Sequence, residues 1–65
     1  MMMLNGEARA VPADPSVAGL LAELGLSAAK VAVERNREIV PRSAFADVSL
    51  AEGDVVEIVT FVGGG

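Results

Sequence analysis

Only one segment of this 65-residue chain carries the apolar spacing of a helix. Four side chains follow one another at the i, i+3, i+4 and i+7 positions of one helical face: Val17, Leu20, Leu21 and Leu24. Ser16 stands before them as a candidate N-cap, and Gly25 follows them at the left-handed position that often ends a helix. Because a single short helix can cover only one face of a sheet, the chain is predicted to be one α+β domain.

Strand patterns occupy most of the remaining chain and predict a mixed sheet of about four to five strands. The predicted strands are residues 1–4, 7–11, 30–36, 39–40 and 55–61. The last of these is almost entirely β-branched or aromatic, and its apolar continuity predicts a central strand. Pro41 places the fourth strand at an edge, and residues 43–50 are predicted to form an irregular or single-turn segment.

Two dipeptides stand where tight hairpin turns are expected. A two-residue turn of this kind needs positive φ at both central residues, which Asn5-Gly6 tolerates. The same turn at Asn36-Arg37 places a bulky side chain in the left-handed region, at a cost of about 1–2 kcal/mol. Either this turn takes another conformation, or some local stability is lost there.

The residues that are missing exclude several classes of function. The chain has no histidine, cysteine, tyrosine or tryptophan, so it lacks the usual nucleophile and base pairs, the normal zinc ligands and any disulfide. A net charge of −4 disfavours nucleic acid and anionic membranes as partners. No apolar run approaches the ~20 residues that span a bilayer. The sequence predicts a cytoplasmic protein that is not an enzyme and binds no metal or cofactor of its own.

The three glycines at positions 63–65 are the most informative feature for function. They are read in two ways: as a frayed end, or as a segment thin enough to thread a narrow channel in a partner enzyme. Four extended residues from Val62 onward reach ~13 Å. In the second reading Gly63 and Gly64 thread the channel, and the Gly65 carboxylate is the reactive group.

Motifs along essentially the whole chain resemble the ThiS family of sulfur carrier proteins. They are Asn5-Gly6-Glu7, Val17 with Leu20-Leu21 and Leu24, Val31-Ala32-Val33-Glu34 with Asn36, Glu38-Ile39-Val40-Pro41-Arg42-Ser43, Leu50, Gly53-Asp54, Val56-Glu57-Ile58-Val59 and Phe61-Val62-Gly63-Gly64-Gly65. Arg37 departs from the pattern, since relatives often carry glycine there. The resemblance implies a ubiquitin-like β-grasp fold in which the first and last strands are adjacent at the centre.

The resemblance also implies a mechanism and a set of partners. An adenylating, E1-like enzyme would use ATP to activate the Gly65 carboxylate. A sulfur donor such as a cysteine desulfurase would then displace AMP, and the resulting thiocarboxylate would supply a thiazole synthase in thiamine biosynthesis. A carrier like the small subunit of molybdopterin synthase and a ubiquitin-like protein modifier or binding module remain as alternatives.

Strand alternation suggests where a partner would dock. If Val56 and Ile58 face the helix, then Val59 and Phe61 lie on the uncovered face of the sheet, next to Val62. These three residues are the candidate docking site. The alternative for Phe61 is packing at the edge of the core. Arg35, Arg37 and Arg42 are expected to form a solvated surface rather than a phosphate site.

Overall fold

The computed structural model describes residues 1–61, and within that range the chain forms five strands and one α-helix. The strands are β1 (Met2–Leu4), β2 (Glu7–Arg9), β3 (Val31–Arg35), β4 (Glu38–Val40) and β5 (Val55–Thr60), and the helix is α1 (Val17–Leu24). Two single 3₁₀ turns, Ala28–Lys30 and Arg42–Ala44, precede β3 and follow β4. The predicted α+β class is confirmed.

The five strands form one mixed sheet in the order β2-β1-β5-β3-β4. β1 runs parallel to β5, whereas the β1–β2, β3–β5 and β3–β4 pairs are antiparallel. The last strand is therefore central and lies beside the first, as predicted. β2 ends at Arg9, two residues earlier than predicted.

The core lies between α1 and one face of the sheet. Its buried side chains are Met2, Val17, Leu20, Leu21, Val31, Val33, Val40, Phe45, Leu50, Val56 and Ile58. Burying a valine, leucine or phenylalanine contributes about 1.5–3 kcal/mol. We call the other side of the sheet, opposite α1, the open face.

The start of α1 is held by a side-chain cap and by the irregular segment that crosses it. The Ser16 hydroxyl accepts a hydrogen bond of 2.9 Å from the Gly19 N–H, which confirms the predicted N-cap. The Val17 N–H donates to the Val48 carbonyl at 3.1 Å. The Ala18 N–H donates to the Phe45 carbonyl at 2.9 Å. The segment predicted to be irregular thus pairs N–H groups that the helix itself cannot satisfy.

The end of α1 also follows the prediction. Gly25 has a φ of 72°, in the left-handed region, and its N–H donates to carbonyls of the last turn. The Leu26 N–H folds back to the Leu21 carbonyl at 2.9 Å. Leu26 packs against the core, so the chain reverses direction towards β3.

The turn between β3 and β4 takes the second of the two alternatives, with positive φ at both central residues. Asn36 has a φ of 52° and Arg37 a φ of 71°, as a two-residue hairpin turn requires. Arginine adopts this region at a cost of about 1–2 kcal/mol, whereas glycine enters it freely.

We expect Arg37→Gly to raise the free energy of unfolding by up to about 1 kcal/mol, because relief of this strain exceeds the greater entropy of glycine in the unfolded chain. Denaturant titration measures the effect. Arg37→Ala is the control, since it shortens the side chain but keeps the Cβ atom and should give no such gain. A lower unfolding midpoint for the glycine variant would contradict the assigned cause.

Candidate functional site

The central strand, β5, ends at Thr60, one residue before the end of the described chain. The Phe61 N–H donates to the Lys30 carbonyl at 2.8 Å, one position beyond the end of β5. Four predicted site residues, Val62, Gly63, Gly64 and Gly65, lie outside the described residues. Their roles in docking, threading and sulfur transfer stay predictions.

Strand alternation along β5 is as predicted. Val56 is fully buried and Ile58 is 8% exposed on the helix side, whereas Val59 is 60% and Phe61 is 54% exposed on the open face. Phe61 is outside the buried core, which argues against its packing at the core's edge. The docking role of Val59 and Phe61 itself stays a prediction.

The two exposed residues belong to a larger apolar surface on the open face. Val59 lies opposite Ala32 in the β3–β5 register, and Ile39 on β4 is 67% exposed. Ala32, Ile39 and Phe61 line a common shallow groove. We call Ala32, Ile39, Val59 and Phe61 the apolar strip. It ends at Phe61, two residues before the first of the three glycines.

Asn5 holds the part of β5 that leads to the tail. β1 pairs with β5 only as far as Leu4–Val56. Beyond that point the Asn5 carboxamide takes the place of a strand: its Nδ2 donates to the Ile58 carbonyl at 3.2 Å, and its Oδ1 accepts from the Ile58 N–H at 2.8 Å. The sequence predicted Asn5 only as a turn residue, and its observed φ of 49° fits that role. The signal that could have indicated this second role is the choice of asparagine over another turn-forming residue, because its carboxamide can both donate and accept hydrogen bonds.

The opposite end of β5 is fixed by a buried carboxylate. Asp54 Oδ2 accepts from Arg35 Nε at 3.0 Å and from the Ala51 N–H at 2.9 Å, and its Oδ1 accepts from Asn36 Nδ2 at 3.2 Å. The Asn36 Oδ1 accepts from the Val55 N–H at 2.9 Å. Burial raises the pKa of Asp54, but these hydrogen bonds and the Arg35 charge outweigh it and hold the pKa below its ordinary value.

The lowered pKa predicts how stability depends on pH. The unfolded chain binds a proton at Asp54 more readily than the folded one, so this stabilisation is complete above the ordinary aspartate range and is lost as pH falls through the lowered pKa. We expect Asp54→Asn to cost about 1–3 kcal/mol at neutral pH, with a difference from wild type that shrinks below about pH 4.

Denaturant titrations between neutral and acidic pH measure this difference. The control is Asp47→Asn, an exposed carboxylate that should change stability by less than about 0.5 kcal/mol. A difference between Asp54→Asn and wild type that stays constant down to low pH would contradict the assignment to the Asp54 charge.

Of the arginines at positions 35, 37 and 42, two have structural partners. Arg35 pairs with Asp54, and Arg42 Nε donates to the Ala28 carbonyl at 2.8 Å, which ties the turn before β3 to the segment after β4. Arg37, at the strained turn, is exposed. Arg35 and Arg42 are therefore more than a solvated surface, because both make hydrogen bonds to other parts of the chain. The spacing of residues in the sequence does not indicate these bonds.

In residues 1–61 no helix is long and apolar enough to cross a bilayer. Nor do three or more Asp or Glu side chains in that range come together as a metal site would need.

The sheet order, the single helix on one face and the parallel central pair β1–β5 define a β-grasp domain of the ubiquitin-like kind. The chain matches the ThiS family over residues 2–65. It is 42% identical to the sulfur carrier protein ThiS of Bacillus subtilis, with all of both chains covered. The chain belongs to the ThiS family, as its motifs predicted.

Solved structures show the same fold. A crystal structure of a thiamine biosynthesis protein, ThiS, from Geobacter metallireducens superposes with a TM-score of 0.79 at 36% identity, covering 98% of this chain and 97% of that one. A solution structure from the same organism gives a TM-score of 0.77. The ubiquitin-like β-grasp arrangement implied by the resemblance is therefore confirmed.

Two further relatives are much longer proteins. A thiazole synthase of Paramagnetospirillum magneticum is 53% identical over 98% of this chain, and one of Magnetococcus marinus is 47% identical over 95%. The chain spans only 20% and 19% of their respective lengths. A domain of this family thus occurs within proteins named for the synthase.

Proposed function

We propose that this chain is a sulfur carrier in thiamine thiazole biosynthesis. The observation that carries the proposal is the full-length match to the Bacillus sulfur carrier within a shared family. The carrier acts as a substrate of its partners and not as an enzyme, and the cytoplasm remains its expected compartment.

The Gly65 carboxylate is the proposed carrying group. An E1-like enzyme joins it to the AMP portion of ATP, releasing pyrophosphate and leaving a mixed anhydride. A sulfur donor such as a cysteine desulfurase, which passes on persulfide sulfur, attacks the carbonyl carbon and displaces AMP. Reductive cleavage by a thiol then leaves the thiocarboxylate. With no cysteine in the chain, no side-chain thiol of its own can hold this sulfur.

The partners follow from the chemistry and from the relatives. The two relatives named thiazole synthase support association with that enzyme as sulfur acceptor. ATP is used by the adenylating enzyme and is not held by this chain. Val59, Phe61 and Val62 are proposed to dock the partners, while Gly63 and Gly64 pass through the channel that leads to the reacting carboxylate.

The decisive experiment is intact-protein mass spectrometry. The protein ending at Gly65 is incubated with ATP, a thiol, the adenylating enzyme of the same genome and a cysteine desulfurase with cysteine. We expect a mass gain equal to replacement of one oxygen by sulfur, located at Gly65. A protein lacking Gly65 is the control and should gain nothing.

Other products would identify the alternatives. Lysine-linked conjugates without sulfur would support a ubiquitin-like modifier. A thiocarboxylate that is consumed by a molybdopterin synthase large subunit, and not by a thiazole synthase, would support the molybdopterin carrier. Both outcomes contradict the proposed function.

A further inference from the structure

The central strand β5 changes its neighbour along one of its edges. The Phe61 N–H donates to the Lys30 carbonyl in the antiparallel register of β3 and β5, so the odd-numbered residues of β5 turn their backbone groups towards β3. The even-numbered residues turn theirs to the other edge. On that edge the bonds to β1 end with the Asn5 N–H, which donates to the Val56 carbonyl at 2.9 Å. From Ile58 onward, no strand of the described chain lies beside this edge.

The Asn5 side chain closes this edge for one further residue. Its Oδ1 accepts from the Ile58 N–H at 2.8 Å and its Nδ2 donates to the Ile58 carbonyl at 3.2 Å, both in partly buried surroundings. The carboxamide thus makes the bonds that a neighbouring strand would otherwise supply. Thr60 turns its N–H and carbonyl to the same edge, where β1 has ended and the carboxamide is already bonded to Ile58. Ile58 is therefore the last residue of β5 that is held from both edges.

The backbone at Asn5 explains why a side chain makes these bonds. Asn5 and Gly6 form the turn into β2 with φ values of 49° and 85°, so the main chain turns away from β5 at this point. Asparagine tolerates the left-handed region and also carries a donor and an acceptor on a short side chain. Glycine at position 5 would keep the turn and leave both Ile58 groups without these bonds.

We propose that Asn5 is a positioning residue for the activation of the Gly65 carboxylate. By holding β5 at Ile58 from the second edge, its carboxamide fixes the direction of the strand end that leads to the tail. A strand end held from one edge samples more orientations, and ordering it on the adenylating enzyme costs binding free energy. Asn5 acts through the backbone of β5 and touches no reacting group. The reaction itself rests on the proposed function.

The test makes the same substitution at two asparagines. Asn5→Gly removes the carboxamide near the end of β5 and keeps the positive φ. Asn36→Gly is the matched control: Asn36 has a φ of 52° in the other hairpin turn, and its Oδ1 accepts from the Val55 N–H at 2.9 Å, at the start of β5. Steady-state adenylation by the adenylating enzyme of the same genome gives kcat and KM for each carrier. Amide hydrogen exchange, followed by NMR without any enzyme, reports whether each bond to β5 is lost.

We expect Asn5→Gly to raise KM about tenfold, the scale of one net hydrogen bond, and to change kcat less than about twofold, because the ordering cost is paid on binding. The Ile58 amide should exchange about tenfold faster or more. Asn36→Gly should speed exchange of the Val55 amide and leave KM within about twofold of wild type. Both variants should unfold cooperatively in urea, since glycine enters the left-handed region freely.

An equal rise in KM for both variants would show a general loss of stability and would overturn the proposal. So would an unchanged KM for Asn5→Gly when its Ile58 amide exchanges faster, or an Ile58 exchange rate that Asn5→Gly leaves unchanged. A wild-type protein that is never adenylated would contradict the proposed function. The hydrogen exchange would still show whether Asn5 holds Ile58, so the two failures are distinguishable.

Discussion

Gly64→Val is expected to lower the rate of adenylation by about 100-fold or more while leaving the unfolding midpoint unchanged. A β-branched side chain restricts the backbone and adds width to a segment that we predict to pass through a narrow channel and present the next carbonyl. Single-turnover formation of the adenylate measures the rate, and thermal unfolding checks the fold.

Gly64→Ala is the graded control, since its smaller side chain should give an intermediate rate. Thr60→Val changes an exposed residue before the tail without adding a branch and should be close to wild type. If the valine and wild-type proteins were adenylated equally fast, the tail would not be threaded through a channel that admits only backbone.

Gly19→Ala is expected to destabilise the protein by about 1–3 kcal/mol, although alanine is the better helix former by about 1 kcal/mol. A Cβ atom on Gly19 would lie 2.7 Å from the Cβ of Asp14, and closer still to that residue's carbonyl oxygen. The Asp14 side chain also accepts a hydrogen bond from the Ser16 hydroxyl at 3.0 Å, so the loop cannot move away without loosening the helix cap.

The matched control for Gly19→Ala is Ala22→Gly on the exposed side of the same helix. It should cost about 1 kcal/mol through helix propensity alone. Both variants are compared with wild type by urea titration. A gain in stability for Gly19→Ala would show that the Asp14 loop yields easily and that close approach does not explain the glycine.

Local signals predicted much of this fold. The caps Ser16 and Gly25 and the two faces of β5 depend on residues a few positions apart, and the structure confirms each. For the Asn36-Arg37 turn the sequence left two conformations open, and the structure shows positive φ at both residues. The glycines at 63–65 were found in the same way, from composition at one place. Their function still rests on the family and on chemical argument, because they lie outside the described residues.

Long-range contacts account for what the sequence did not show. Asn5 bonds Ile58 across 53 positions, and Arg35 bonds Asp54 across 19. The close approach of Gly19 to Asp14 depends on how the preceding loop folds back, which no local pattern indicates. Which side chains meet in this way follows from the strand order, and that order came from the family resemblance and not from periodicity.

The parallel pairing of β1 and β5 determines where an added label or domain can be attached. The Gly53 N–H donates to the Met1 carbonyl at 3.0 Å, so the first residue lies where β5 begins. Phe61 lies at the other end of that strand, ~20 Å away for six extended residues. An affinity tag or fluorescent protein placed before Met1 would therefore lie at the end of β5 opposite Phe61, and we expect the tagged protein to remain usable in the adenylation assays.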